Sequence, residues 1–136
     1  MRNLLTVLMV VSFFVLSGCS SKSLETPGSI PQPLPTVPSD YAGKTIPSNA
    51  DVSAGANLFK TDCVTCHGEN GHGDGPASQT LDPRPANLVD LSKIAADDFL
   101  FWKISTGIDG TAMPAWKGIL TDQQIWQVIA FIRILK

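Results

Sequence analysis

An all-α domain is what the sequence predicts, and three observations carry that expectation. Apolar residues recur at helical spacing in three separate stretches, each opened by a residue suited to an N-cap or to the first turn of a helix. The connections between them are dense in glycine and proline, and no alternating β-branched run is present to pair as strands. Once the N-terminal segments are set aside, only about ninety residues remain for a folded head, a size at which an apolar core alone is thin.

The first of those N-terminal segments is residues 1–18. Arg2 precedes an apolar run from Leu4 to Leu16, too short for a comfortable membrane span and characteristic of a signal-peptide core that is later removed. It ends in Leu16-Ser17-Gly18-Cys19, which resembles the lipobox of bacterial lipoproteins. That resemblance implies that Cys19 is lipidated and becomes the first residue of the mature chain, anchored by two or more acyl chains. In residues 19–49, Pro27, Pro31, Pro33, Pro35, Pro38 and Pro47 are interspersed with Ser, Thr and Gly. This composition reads as a linker, either a free extended tether or a segment wrapped on a partner or on the domain itself. The head is then residues 50–136.

Within the head, the first helix begins near Asp51 or Ser53, either of which can serve as N-cap, and carries Gly55, Leu58 and Phe59 toward Cys63. The second has Asp97 and Asp98 in its first turn, presents Phe99, Leu100, Trp102 and Ile104, and ends at Gly107. In the third, Thr121 and Gln124 form a capping-box pattern, with Leu120 and Ile125 placed to staple it. Ile125, Val128, Ile129, Ile132 and Leu135 then repeat at helical spacing. Between the first two helices, Gly68, Gly71, Gly73, Gly75 and Pro76, then Pro83, Arg84 and Pro85, predict loop.

The chemistry is concentrated in Cys63-Val64-Thr65-Cys66-His67. Cysteines three apart lie on one helical face, so both sulfurs can add to the vinyl groups along one edge of a porphyrin, and the next residue, His67, can reach the iron from the same side. This is the order that covalent attachment of a c-type haem requires, and imidazole is a standard axial ligand. Two other uses of these residues are weaker. A dithiol redox pair normally sits in a strand-helix-strand setting, which is missing here. A zinc site built from Cys63, Cys66, His67 and His72 lacks the usual long spacer, and adjacent Cys66 and His67 make a poor tetrahedral pair. Thioether attachment of haem takes place outside the cytoplasm, in agreement with the signal segment.

A haem iron commonly takes a sixth ligand, and counting residues narrows the choice. Met1 and Met9 belong to the signal segment, which leaves Met113, in Thr111-Ala112-Met113-Pro114-Ala115-Trp116, as the methionine of the mature chain. It follows the second helix and can approach the haem from the opposite face. Thioether sulfur opposite imidazole raises the reduction potential relative to two imidazoles. His72, five residues beyond His67, is poorly placed to cross to that face and reads as a solvated loop residue.

Taken together these residues resemble class I c-type cytochromes over the whole head, from Val52 to Lys136. Gly55 and Phe59 stand at the family's spacing ahead of Cys63, and Val128 and Phe131 match the last-helix positions. The resemblance implies a small cytochrome c fold in which the N- and C-terminal helices cross around one covalently bound haem c. It implies that the Pro76 carbonyl, in Gly73-Asp74-Gly75-Pro76, accepts a hydrogen bond from His67. The stretch Thr111–Trp116 is similar to the family's methionine loop, and Trp126 to an aromatic common at the start of its last helix. Asp82-Pro83-Arg84-Pro85-Ala86-Asn87-Leu88 is similar to a loop that passes near the haem, where Arg84 can pair with a propionate.

The expectation is therefore an electron-transfer protein rather than an enzyme. It is a one-electron carrier with His67 and Met113 as axial ligands, tethered by Cys19 to the extracytoplasmic, periplasmic side of a bacterial membrane. Donor and acceptor redox proteins would be its partners, in a respiratory or photosynthetic complex such as one resembling alternative complex III. The formal net charge of −2 and the absence of a basic cluster argue against a nucleic-acid partner. A haem peroxidase or gas-binding sensor is the alternative; it needs a displaceable sixth ligand, and Met113 argues against it.

Overall fold

The computed structural model describes residues 30–136; the expected signal segment 1–18 and Cys19 lie outside them. Five α-helices follow in order among these residues: α1 Val52–Asp62, α2 Val64–His67, α3 Leu88–Ile94, α4 Asp97–Thr106 and α5 Asp122–Ile132, with a 3-10 turn at Ser78–Thr80. No strand is found among them beyond a lone bridge between Lys117 and Leu120. The all-α expectation holds.

Of the two candidate caps for α1, Asp51 takes the role: its Oδ1 accepts the N–H groups of Ser53 and Ala54 at 2.8 and 3.2 Å, satisfying two donors that the helix itself leaves unpaired. At the start of α5 the expected capping box is formed. Thr121 Oγ1 accepts from Gln124 N at 3.2 Å, and Gln124 Oε1 accepts from Thr121 N at 2.9 Å. These two helices make the most extensive contact in the fold. Gly55 permits it, because a Cβ there would run into the Gln127 carbonyl. Next to this crossing the rings of Phe59 and Phe131 lie 5.2 Å apart, and Phe59, Ile125 and Ile129 are essentially unexposed.

α4 supplies the other wall of the core. Phe99, Leu100, Phe101 and Ile104 are buried, and Phe101 stacks on Trp126 of α5 with ring centroids 4.3 Å apart. The helix ends at Gly107, whose φ of 71° suits glycine.

Two features differ from the sequence reading. α3 was not among the three helices expected: its seven residues are opened by Asn87, whose side chain accepts from Val89 N and Asp90 N. A helix this short gives too few turns for its periodicity to stand out beside the prolines before it. The described part of the proline-rich segment lies along the head, with Leu34, Val37, Tyr41 and Ile46 packed against the core. Asp98 Oδ2 accepts from Gly43 N at 2.8 Å and Asp97 Oδ2 from Ile46 N at 3.2 Å. Lys44 sits over the Tyr41 and Phe101 rings. Of the two forms expected for residues 19–49, the described part takes the wrapped one, and the folded head reaches back to Leu34.

Candidate functional site

α1 does not run on through the Cys-x-x-Cys-His stretch. Cys63, at φ −114° and ψ −32°, closes α1 and opens α2, so the pentad occupies a separate single turn. A four-residue helix cannot pair its own last carbonyls, and the loop after it does so. Gly73 N donates to His67 O at 2.8 Å, Gly75 N to Cys66 O at 3.2 Å and Ala77 N to Thr65 O at 2.9 Å. Alternate residues from Gly73 to Ala77 thus donate to the carbonyls of α2 in reverse order. Gly75 has no room for a side chain, since a Cβ would strike the Val64 and Thr65 carbonyls. This is the physical reason for the glycine-rich composition read in the sequence.

Cys63 and Cys66 are free thiols, both half-buried. Burial, with smaller contributions from Asp62 and Cys66, pushes the Cys63 thiol up to about 12, so it stays protonated at neutral pH. The His67 ring is half-buried, and its Nδ1 stands 3.2 Å from the Ala86 carbonyl oxygen. Burial lowers the His67 pKa, partly opposed by that hydrogen bond. With Nδ1 directed to a carbonyl, Nε2 is the nitrogen left for a ligand.

The carbonyl facing His67 is thus Ala86's and not Pro76's. Pro76 is exposed, because its neighbours Gly75 and Ala77 are spent on the carbonyls of α2 and hold the Gly73–Ala77 strip against the helix backbone. The Pro85–Asn87 segment is the one that passes the ring. Arg84 is exposed, and its Nη2 donates to Gln79 Oε1 at 2.9 Å. It lines a polar pocket with His72, Asp74, Ser78 and Asn87, and His72 is an exposed loop residue as expected.

Met113 lies on a loop fastened to the end of α4. Trp116 N donates to Ile104 O at 3.0 Å, Lys117 N to Ser105 O at 3.1 Å, and Ile108 N to Met113 O at 3.2 Å. Thr111 Oγ1 accepts from Met113 N at 3.1 Å. Gly107 is again required, since a Cβ would lie 2.7 Å from Met113 O. Met113, Cys63, Val64 and Trp116 are all half-buried against the one apolar core.

The residue set fits a covalently attached haem. Two unpaired thiols share a turn, an imidazole on that turn has its far nitrogen unengaged, and a thioether is offered by a separately anchored loop beside the same apolar core. Sequence reasoning missed Ala86, because a carbonyl partner is chosen by where a loop passes and leaves no trace in residue type. It also missed Asn87 as a cap, although Asn87 followed by Asp90 and by Leu88 and Leu91 is a readable start signal.

Residues 50–132 match the protein-family model described as "Cytochrome C oxidase, cbb3-type, subunit III". The chain is 31% identical over 83 residues to cytochrome c6 of Parathermosynechococcus lividus, spanning 61% of this chain and 88% of that protein. It is 32% identical over 87 residues to the cbb3-type cytochrome c oxidase subunit FixP of Bradyrhizobium sp., spanning 62% of this chain and 28% of that longer protein. Among solved structures, a chain of the Kuenenia stuttgartiensis reducing HAO-like protein complex has a TM-score of 0.58 at 24% identity, over 77% of this chain and 51% of that one, a likeness of fold.

Proposed function

Because the chain belongs to the c-type cytochromes, in the family described as cytochrome c oxidase, cbb3-type, subunit III, and is an electron carrier with one covalent haem c, we propose that it works tethered to a membrane as a partner or subunit of an electron-transfer complex. Cys63 and Cys66 would hold the haem through thioethers, and His67 Nε2 and the Met113 sulfur would ligate its iron. The haem supplies the one-electron couple between Fe(III) and Fe(II). The chain's residues hold it, orient the imidazole through Ala86 O and shield it from water with the apolar core.

The observation that carries this reading is the placement of both free thiols and a carbonyl-oriented imidazole on one turn. The tether rests on Leu16-Ser17-Gly18-Cys19 after an apolar run, with no helix among the described residues long and apolar enough to cross a membrane. The complex is suggested by FixP, itself named as an oxidase subunit. That protein is matched over 28% of its length, so the assembly is inferred for this chain.

Two variants test the two parts separately. Cys63→Ala with Cys66→Ala removes every thiol from the head, so acid-acetone should extract all haem; haem retained in the protein pellet would overturn the attachment. Cys19→Ser should release the protein from washed membranes with an unchanged visible spectrum. Retention there would show that a partner, not lipid, holds it.

A further inference from the structure

The Ala86 carbonyl that meets His67 belongs to a segment held from three sides. Leu88 N donates to Gly71 O at 2.7 Å. Gly73 backs directly on Pro85 O and Ala86, where a Cβ has no room, and its own N–H is bonded to His67 O. On the third side Asn87 Oδ1 accepts from Val89 N at 2.9 Å and Asp90 N at 3.2 Å, which ties the peptide after Ala86 to the first turn of α3. Of the six residues that form this support, Gly71, Gly73, Pro85, Ala86, Asn87 and Leu88, Asn87 alone has a polar side chain. Its two bonds are the part of the support that a single substitution can release while the backbone remains otherwise able to form.

We propose that Asn87 is a positioning residue for the axial imidazole, fixing the Ala86 carbonyl so that the His67 Nδ1–H stays bonded to it. This rests on the reading that His67 is the iron ligand. A carbonyl bonded to the far N–H of a ligating histidine selects its tautomer, sets the ring orientation and makes the ligand more electron-donating. A more donating ligand favours the higher oxidation state of the metal. Asn87 thereby holds the midpoint potential below the value that the same two ligands would give with a loose Ala86 peptide.

The holoprotein gives a direct test. Asn87→Ala should raise the midpoint potential and speed solvent exchange of the His67 Nδ1–H in the reduced protein by about fivefold, the weight of a lost helix cap. Asn87→Ser, which keeps a neutral capping oxygen, should restore both. Thr121→Ala removes the cap of α5, remote in sequence from Ala86, and should lower stability without moving either quantity. If Asn87→Ala does not yield holoprotein, Asn87→Gly keeps most of the cap energy while loosening the same peptide, and the same shifts are expected in a smaller amount. An unchanged potential and exchange rate in the Asn87 variants, or equal shifts in Thr121→Ala, would overturn the role. Wild-type protein lacking ring signals of an iron-bound His67 would overturn the ligand assignment beneath it, a result distinct from an unresponsive Asn87.

Discussion

Arg133 and Asp97, 36 residues apart in sequence, form a two-pronged ion pair, with Nε and Nη2 of the guanidinium at 3.0 and 2.5 Å from the Asp97 Oδ1. The guanidinium also donates to the carbonyls of Ser92 and Ala95. It therefore gathers the ends of α3 and α5 and the start of α4, while Asp97 Oδ2 holds Ile46 of the N-terminal segment. Both side chains are 24% exposed, so water screens the pair only partly. Arg133→Ala leaves the half-buried Asp97 Oδ1 and two carbonyls without the donors that the guanidinium supplies, a loss of about 2 kcal/mol. Thermal unfolding should show Tm lower by roughly 10 °C, with most of the difference kept in high salt. A change that salt abolishes would mean that the pair acts only as a surface interaction.

Along the N-terminal segment, the bond from Gly43 N to Asp98 Oδ2 is exposed to solvent. Asp98→Ala should cost less than about 1 kcal/mol in global stability and yet speed proteolytic cutting between Leu34 and Ile46, because local opening is governed by the local contacts. Mass mapping of limited digests reads this out. Cleavage confined to other sites, at the wild-type rate, would show that the apolar contacts of Tyr41 and Leu34 hold the segment without Asp98.

Replacing Met113 tests the sixth ligand. Met113→Ala should leave a high-spin or water-ligated iron, lower the midpoint potential, and confer carbon monoxide binding and peroxidase-like activity that the wild type lacks, since thioether ligation favours Fe(II). Met113→His should stay low-spin and also lower the potential. A Met113→Ala protein with the wild-type spectrum would move the ligand elsewhere in the chain or to a partner.

Acid sensitivity follows from His67. Burial holds its folded-state pKa below the ordinary value of about 6.5, so the unfolded chain binds the proton first as pH falls. The stability tied to the neutral ring is present in full above about 6.5 and is lost as pH drops toward the folded-state value. Iron bound at Nε2 would take the place of that proton, so the dependence belongs to the haem-free chain: its denaturant midpoint should fall between pH 7 and pH 5, with proton uptake on unfolding. A midpoint that is flat over this range would contradict the burial of the neutral ring.

Features that depend on neighbours along the chain are written in its residues. The turn carrying Cys63, Cys66 and His67, the Thr121 and Gln124 capping box, and the ends of α4 at Asp97 and Gly107 were all readable. Caps and helical spacing act within a few residues or through one repeated pattern. Tertiary structure decided what depends on where distant backbone passes. Ala86 rather than Pro76 meets His67, because the Gly73–Ala77 strip is committed to the carbonyls of α2 and leaves the ring to the next loop. The proline-rich segment lies on the head because Asp97 and Asp98, more than fifty residues away, accept its backbone N–H groups. A carbonyl oxygen or an amide is the same in every residue that carries it, so the choice among them is made by the fold.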